Sequence, residues 1–298
     1  MKKYGIALLF IMLIVFLPGN AQASMSSDEI LAMDSTYEGF LKNDAVPSFA
    51  ELCEMDGTTV TAEYDILNQK KKLSNSELRT QGISSQEINE LRQYSTAELV
   101  GGNAQSLSDE ELIQRGVSVE GINCLRNKQY NLIKEKDLRA MSAQLAFNIA
   151  SPSRAGTSAN FVIYWHWDSQ PLKKYQDIVS ASISDGYVVT GQSTCKLTYQ
   201  DWAQEVPNTT KRISPSEYAG GQTYFVFPMK VRYSTGPQWC RYGKAFISTR
   251  GTVVPPVLGA AAQYFHTISS DKINISITIR GITISGPEGS RSYASLSF

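Results

Sequence analysis

Only two histidines are present, and the first lies in the most unusual short segment of the chain, residues 164–168. If this segment is a strand, Tyr164, His166 and Asp168 share one face, while two tryptophans occupy the other face and pack into a core. His166 then faces solvent or a groove, close enough to Asp168 to form a His–Asp couple. We expect either a general base or an aromatic-walled ligand site, against the simpler alternative of a partly exposed sheet histidine.

The remaining patterns do not indicate catalysis. No Gly-x-Ser-x-Gly elbow, paired CxxC motif or histidine-rich cluster occurs in the sequence. We therefore assign no catalytic residue, no metal site and no cofactor. Pairs of carboxylates cannot be recognised from spacing alone, so one alternative function is an exported hydrolase that uses carboxylates or His166.

Aromatic residues suggest binding instead. All four tryptophans lie after residue 160, and two of them have polar, loop-like neighbours: Trp202 follows Asp201, and Trp239 lies between Gln238 and Cys240, two positions before Arg241. Aromatic side chains anchor partners at low entropic cost. The predicted binding residues are Trp202, Trp239, Tyr164, His166 and Asp168, and the predicted partner is a protein or a glycan.

The first 23 residues have the pattern of a secretory signal peptide: two lysines, an apolar run over residues 6–17, and Ala21-Gln22-Ala23 before the expected cleavage site. We expect a secreted or extracellular bacterial protein, either free or envelope-associated, with no stable transmembrane segment after cleavage. The formal net charge is zero, which argues against a nucleic-acid partner.

Export permits disulfides, and the chain has four cysteines. Four cysteines allow three connectivities. Pairs within each half of the chain, Cys53–Cys124 and Cys195–Cys240, are the predicted connectivity, and four reduced thiols are the alternative.

Residues 24–150 are predicted to form a helical domain with an internal repeat. Residues 73–95 match residues 107–129 at a constant offset of 34, with Gly82 and Gly116 placed where a short helix ends. Each copy predicts two short helices, and Ser-x-x-Glu capping boxes precede several of the helices in this half. Residues 130–149 are predicted to form one longer amphipathic helix.

Residues 151–158, rich in small residues, are predicted to be a linker, followed by an antiparallel β-sandwich over residues 159–298. The predicted fold class is therefore α+β. Predicted strands cover residues 159–167, 179–183, 186–190, 195–199, 223–233, 242–248 and 273–284. Isoleucine alternates with polar residues in the last of these strands, which leaves a membrane-active, toxin-like protein as a second alternative function.

Overall fold

The computed structural model describes residues 25–80, 85–172, 176–184, 186–201, 208–267, 274–278, 281–285 and 289–298. This part of the chain combines helices with antiparallel sheets, so the fold is mixed α+β. The predicted signal peptide lies outside the described residues. Within the described residues, no helix is long and apolar enough to cross a membrane.

Helices occupy the first half of the chain. They are α1 (Ser27–Asp34), α2 (Tyr37–Lys42), α3 (Phe49–Glu54), α4 (Glu63–Lys72), α5 (Asn75–Thr80), α6 (Ser85–Gln93), α7 (Thr96–Ala104), α8 (Asp109–Gln114), α9 (Val119–Arg126), a 3₁₀ turn (Tyr130–Leu132) and α10 (Glu135–Met141).

Capping boxes begin many of these short helices. In each box the serine hydroxyl accepts from the backbone N–H three residues later, and the glutamate carboxylate accepts from the serine N–H, which satisfies two free donors of the first turn. These hydrogen bonds hold the pKa of Glu29 and of Glu98 below the ordinary value. The predicted boxes are confirmed at Ser26/Glu29, Ser48/Glu51, Ser74/Glu77, Ser95/Glu98 and Ser108/Glu111.

The two segments related by the offset of 34 make the same hydrogen bonds. Arg92, near the end of α6, donates to the side chain of the first residue of α5 and to two backbone carbonyls that precede α5. Arg126, at the end of α9, makes the equivalent contacts with the first residue of α8 and with two carbonyls that precede α8. The acceptors are Asn75 Oδ1, Lys71 O and Leu73 O for Arg92, and Asp109 Oδ1, Gln105 O and Leu107 O for Arg126. Gly116 follows α8 with a φ of +82°, as its predicted position requires, whereas Gly82 lies outside the described residues.

In the part of the chain that the structure describes, the strands form three antiparallel sheets. The strands are β1 (Thr59–Ala62), β2 (Gln144–Ala155), β3 (Ser158–Trp167), β4 (Gln176–Ile183), β5 (Tyr187–Val189), β6 (Thr194–Gln200), β7 (Thr209–Ile213), β8 (Glu217–Ala219), β9 (Gln222–Pro228), β10 (Lys230–Tyr233), β11 (Gly236–Gly251), β12 (Gly259–Thr267), β13 (Asn274–Thr278), β14 (Gly281–Ser285) and β15 (Gly289–Ser297).

The largest sheet has the order β1-β2-β3-β11-β6-β7, with β5 and β10 also paired to β11. The second sheet has the order β15-β12-β4-β9-β8. The third contains β13 and β14, so the predicted strand 273–284 is two paired strands rather than one.

One apolar core contains residues from both large sheets. Tyr264 of β12 lies at its centre, with its ring 5.8 Å from the ring of Trp165 and 6.3 Å from that of Trp167. Trp165 also stacks on Phe227 of β9 at 5.6 Å. The prediction that the two tryptophans of residues 164–168 face the core is therefore confirmed.

The opposite face of β3 is covered by the N-terminal helices. Ile30, Phe40 and Leu52, from α1, α2 and α3, form a second apolar cluster with residues of β2, β3 and β11 that include Tyr164. Tyr164 is fully buried. The expectation that this face lines a groove is wrong, because residues 25–56 pack across it.

A buried ion pair lies at the centre of this contact. Lys244 of β11 donates to both carboxylate oxygens of Asp34 at 2.7 Å, and both side chains are fully buried. Tyr164 Oη (2.9 Å) and Asn43 Nδ2 (3.1 Å) donate to the same carboxylate. Burial raises the pKa of Asp34 and lowers the pKa of Lys244 to about 8. The cost of removing each charge from water therefore exceeds the gain from its attraction to the other charge. The apolar packing around the pair must offset that cost.

Two sequence predictions at the boundary between the halves are corrected. Helix α10 ends at Met141, and the predicted helical residues 144–149 belong to β2. Leu145 to Ile149 are buried on both faces of the sheet, and such an apolar run is compatible with either a helix or a fully covered strand.

The predicted linker, residues 151–158, is the end of β2, a turn and the start of β3. Two of its small residues adopt a positive φ. Ser151 has a φ of 52° at a break in strand register, and Gly156 has a φ of 57° in the turn.

All four cysteines are free, so the predicted disulfides are wrong for this structure. Cys195 and Cys240 lie on neighbouring strands, but Cys195 pairs with Ala245 and Cys240 with Tyr199. This offset of four positions on β6 separates the two Cα atoms by roughly 13 Å, beyond the reach of a disulfide. Cys53 lies on α3 against the sheet, whereas Cys124 lies on α9 and packs in the helical cluster.

Replacing Asp34 by Asn should lower the free energy of unfolding by about 3–5 kcal/mol, because the buried Lys244 then has no counter-charge and must either stay charged in an apolar site or lose its proton. The joint change of Asp34→Leu with Lys244→Met should cost clearly less than Asp34→Asn. Chemical denaturation measures both. Glu120→Gln, which breaks an exposed ion pair with Lys134, is the control and should change stability little. A loss no larger for Asp34→Asn than for Glu120→Gln would contradict the assigned role of the pair.

Candidate functional site

A recess opens at one end of the largest sheet, around Trp239. It is shallow, with a cavity volume of about 10 Å³, and is lined by the ends of β3 and β6, the start of β11 and the loop after β3. The lining residues are Trp167, Ser169, Gln170, Pro171, Gln200, Asp201, Trp239, Cys240 and Arg241. We call this space the Trp239 recess. Two indoles, a guanidinium, a carboxylate and two amides meet there, which is a set suited to contacting a polar ligand with one flat face.

A β-bulge places Arg241 in this recess. On β11, Cys240 pairs with Tyr199 and Tyr242 with the adjacent Thr198, so Arg241 is the extra residue. Bulges redirect a side chain and interrupt regular pairing. The Arg241 guanidinium donates to Gln200 Oε1 at 3.2 Å and to two carbonyls at the end of β3, those of Trp167 and Asp168, at 3.4 Å. Burial lowers the pKa of Arg241, yet the group stays charged because its ordinary pKa is so high.

Asp168 fixes the shape of the loop beneath the recess. Its carboxylate accepts from the Gln144 N–H at 2.8 Å and from Ser169 Oγ at 2.7 Å, and it lies 3.3 Å from Arg115 of the helical half. Burial raises the pKa of Asp168, and the nearby Arg115 charge partly opposes that rise. Asp168 therefore positions the loop and joins the two halves of the chain.

A second recess lies on the other side of this loop. It shares Ser169 and Gln170 with the Trp239 recess and is otherwise lined by Asn103, Ser106, Leu107 and Met141 of the helical half. Asn103 Nδ2 donates to Gln170 O at 3.3 Å. Residues 169–170 therefore separate two adjoining spaces, one bordered by the helices and one by the sheet.

The predicted binding residues do not form one site. Trp239 lines the recess, and Asp168 contributes its carbonyl to Arg241. Tyr164 binds Asp34 on the covered face of the sheet. Trp202 lies outside the described residues.

The predicted His166–Asp168 couple is wrong, because the two side chains have other partners. His166 Nδ1 donates to Pro47 O at 3.1 Å, and the imidazole packs 4.8 Å from the Tyr242 ring. Burial lowers the pKa of His166 to about 4. At neutral pH this histidine is an uncharged residue that anchors the segment before α3.

The second histidine has the His–Asp arrangement that was expected of the first. His266 of β12 pairs directly across from Asp177 of β4, and its Nδ1 donates to Asp177 Oδ1 at 2.9 Å. Its Nε2 lies 4.0 Å from Glu63 Oε1, and Tyr264 Oη donates to the other Asp177 oxygen. Asp177 and Glu63 together raise the pKa of His266 despite its burial. No sequence signal links these residues, since Glu63, Asp177 and His266 are far apart along the chain.

This cluster is fully buried, and none of its residues lines the Trp239 recess or the second recess. Its contacts tie α4 to β4 and β12, and Glu63 also accepts from the Leu172 N–H. Among the described residues, no group of three or more His, Cys, Asp or Glu side chains is arranged to hold a metal ion. The cluster therefore stabilises the contact between helices and sheets.

No protein-family model and no curated protein sequence matches this chain. Among solved structures, it is similar to the collagen-binding subdomain of the Enterococcus faecalis surface protein ACE, with a TM-score of 0.26 and 5% identity over 51% of this chain and 92% of that one.

It is also similar to the collagen-binding domain of the Erysipelothrix rhusiopathiae surface protein RspB, with a TM-score of 0.25 and 10% identity over 47% of this chain and 44% of that one. A third similar structure is AvmM, which catalyses macrocyclization in alchivemycin A biosynthesis, with a TM-score of 0.24 and 13% identity over 52% of this chain and 88% of that one. At TM-scores this low, the chains do not superpose well enough for a functional residue to be transferred from any of these structures.

The two histidines should affect pH-dependent stability in opposite directions. The folded pKa of His266 is above 6.5, so its stabilising effect is complete below that pH and is lost as the pH rises through the folded value. The folded pKa of His166 is about 4, so its contribution is complete above pH 6.5 and is lost as the pH falls toward 4.

Denaturation curves of wild type, His266→Gln and His166→Gln across this pH range test the assignment. Relative to wild type, His266→Gln should be most destabilised on the acid side, and His166→Gln should be most destabilised near neutral pH. The same pH trend in both variants would refute it.

Proposed function

We propose that this protein is a non-enzymatic recognition protein and that one ring-sized group of a protein or glycan partner packs against Trp239 at the opening of the Trp239 recess. The observation that carries the proposal is the meeting of a partly buried Trp239, the bulged Arg241 and the Asp201 carboxylate at one opening. Trp239 would supply a flat apolar face, and the charged groups and amides would set the orientation of the ligand.

The geometry favours binding over hydrolysis. Asp201 is the one carboxylate among the described residues that line the recess, whereas hydrolysis by two carboxylates requires a pair at a defined separation. His166 lies on another face and is held by a backbone carbonyl. Arg241 already binds two carbonyls and an amide, which keeps its guanidinium in place before any ligand arrives.

Three features of the whole chain extend this proposal. The shared core of the two large sheets supports a β-sandwich as their arrangement. The matched arginine contacts support residues 73–95 and 107–129 as two copies of one unit within a helical domain. The pattern of residues 1–23 supports export, which would place the recess outside the cell.

Screening the exported chain against glycans and immobilised peptides should give at least one ligand whose affinity depends on Trp239. Trp239→Ala should weaken that binding by about tenfold or more, as expected for an aromatic anchor. Trp239→Phe should retain most of it, because Phe keeps a flat apolar face.

Tyr293→Ala is the matched control. It removes an exposed aromatic side chain that lies on β15 in the second sheet and does not line the Trp239 recess. Ligands that bind Trp239→Ala and wild type equally would exclude the recess as the binding site. Turnover of a ligand by wild type that is lost in Asp201→Asn would exclude the non-enzymatic assignment.

A further inference from the structure

The loop between β11 and β12 exposes an apolar surface that the recess does not explain. Residues 252–258, here called the valine loop, read Thr-Val-Val-Pro-Pro-Val-Leu. The three valines, Val253, Val254 and Val257, are 60%, 58% and 61% exposed. Singly exposed valines are ordinary, but three within five residues form a local apolar tip.

The loop is held rigidly at both ends. Leu258 is fully buried, and its backbone exchanges two hydrogen bonds with Phe298 at 2.8 and 3.0 Å. At the other end, the ring of Tyr187 packs so closely on Gly251 that a Cβ there would lie 2.5 Å from it. With two prolines between these anchors, the valines are displayed at little further entropic cost.

Several polar backbone groups of the loop are absent or already hydrogen-bonded, which lowers the cost of placing the loop in an apolar medium. Pro255 and Pro256 have no N–H to desolvate. The carbonyl of Val253 accepts from Tyr187 Oη at 3.2 Å, and that of Pro255 accepts from Arg154 Nη2. Unsatisfied backbone groups are the main obstacle to placing a loop against lipid, and here several are removed or paired.

Two cations border the loop. Arg154 reaches it through the bond to Pro255, and the exposed Arg250 precedes it on β11. Opposite Arg250 on β5 lies Val188, which is half-exposed. An exposed apolar loop edged by arginines matches the interface of a bilayer, where side chains enter the acyl boundary and cations meet headgroup phosphates.

We propose that the valine loop inserts into the surface of a lipid bilayer that contains anionic headgroups. The occupant is lipid because three exposed valines lie beside two arginines in a loop where two residues lack an N–H and two carbonyls already have donors, whereas a protein partner would have to supply a complementary pocket. This inference is independent of the recess, since the two features lie at opposite ends of β11.

Sedimentation with vesicles of phosphatidylcholine mixed with phosphatidylglycerol tests the proposal, with vesicles of phosphatidylcholine alone as the second arm. Wild type should bind, and more strongly to the mixed vesicles. The joint change of Val253→Asp with Val254→Asp should lower the partition constant by about tenfold or more, because two apolar side chains are lost and two charges face the lipid. Arg250→Glu should remove the preference for the mixed vesicles.

Val119→Asp is the matched control, since it places the same charge at a valine that is 69% exposed on α9, and it should bind as wild type does. The joint change of Val253→Ser with Val254→Ser should give an intermediate loss, and thermal unfolding should show every variant folded. Trp239→Ala should bind vesicles normally, which separates this test from that of the recess.

Absence of wild-type binding to both vesicle types would overturn the proposal, as would equal binding by the Val253/Val254 aspartate variant. Concentration-dependent dimerisation of wild type that is lost in that variant, without vesicle binding, would overturn it in favour of a second copy of this chain as the occupant.

Discussion

The buried pair of Lys244 and Asp34 constrains the rest of the structure. Each charge alone would be strongly disfavoured at this position, since burial shifts the pKa of both groups toward the neutral form. The segment that carries Asp34 must therefore dock on the sheet that carries Lys244 for either charge to be tolerated. Lys196 strengthens the same contact by donating to the carbonyls of Leu41 and Asn43 at 2.8 and 2.9 Å. As a result, the face of β3 with Tyr164 and His166 becomes interior, and ligand access moves to the end of the sheet.

Strand β11 links this constraint to both proposed surfaces. It pairs with β3, β6, β5 and β10, so its position is determined along nearly its whole length. Trp239 lies near its start, Lys244 in its middle, and the valine loop directly after its end. The bulge at Arg241 is the one break in its described pairing with β6, and it lies where the recess opens. A rigid strand with a single local irregularity is a suitable support for a binding residue.

Local features were predictable from the sequence because their causes are local. Each Ser-x-x-Glu box determines a helix start through contacts within four residues, and the offset of 34 carries Arg92 and Arg126 into equivalent contacts. The environment of His166 was not predictable, because it depends on helices more than a hundred residues earlier in the chain. The same holds for His266, which acquires its carboxylate partner only when β4 and β12 pair. Residues 144–149 were assigned to a helix because a strand covered on both faces lacks the alternation that identifies strands.

The two proposed surfaces lie at opposite ends of β11. From Trp239 to Gly251 the strand rises roughly 40 Å, at about 3.3 Å per residue. With β11 upright on a bilayer contacted by the valine loop, the Trp239 recess would lie at the far end of the strand, well beyond the Debye length in physiological salt. Headgroup charge would not influence a ligand at Arg241 and Asp201. Attachment and recognition would then be energetically independent while sharing one strand, which is the arrangement expected of a protein that presents a binding site above a surface.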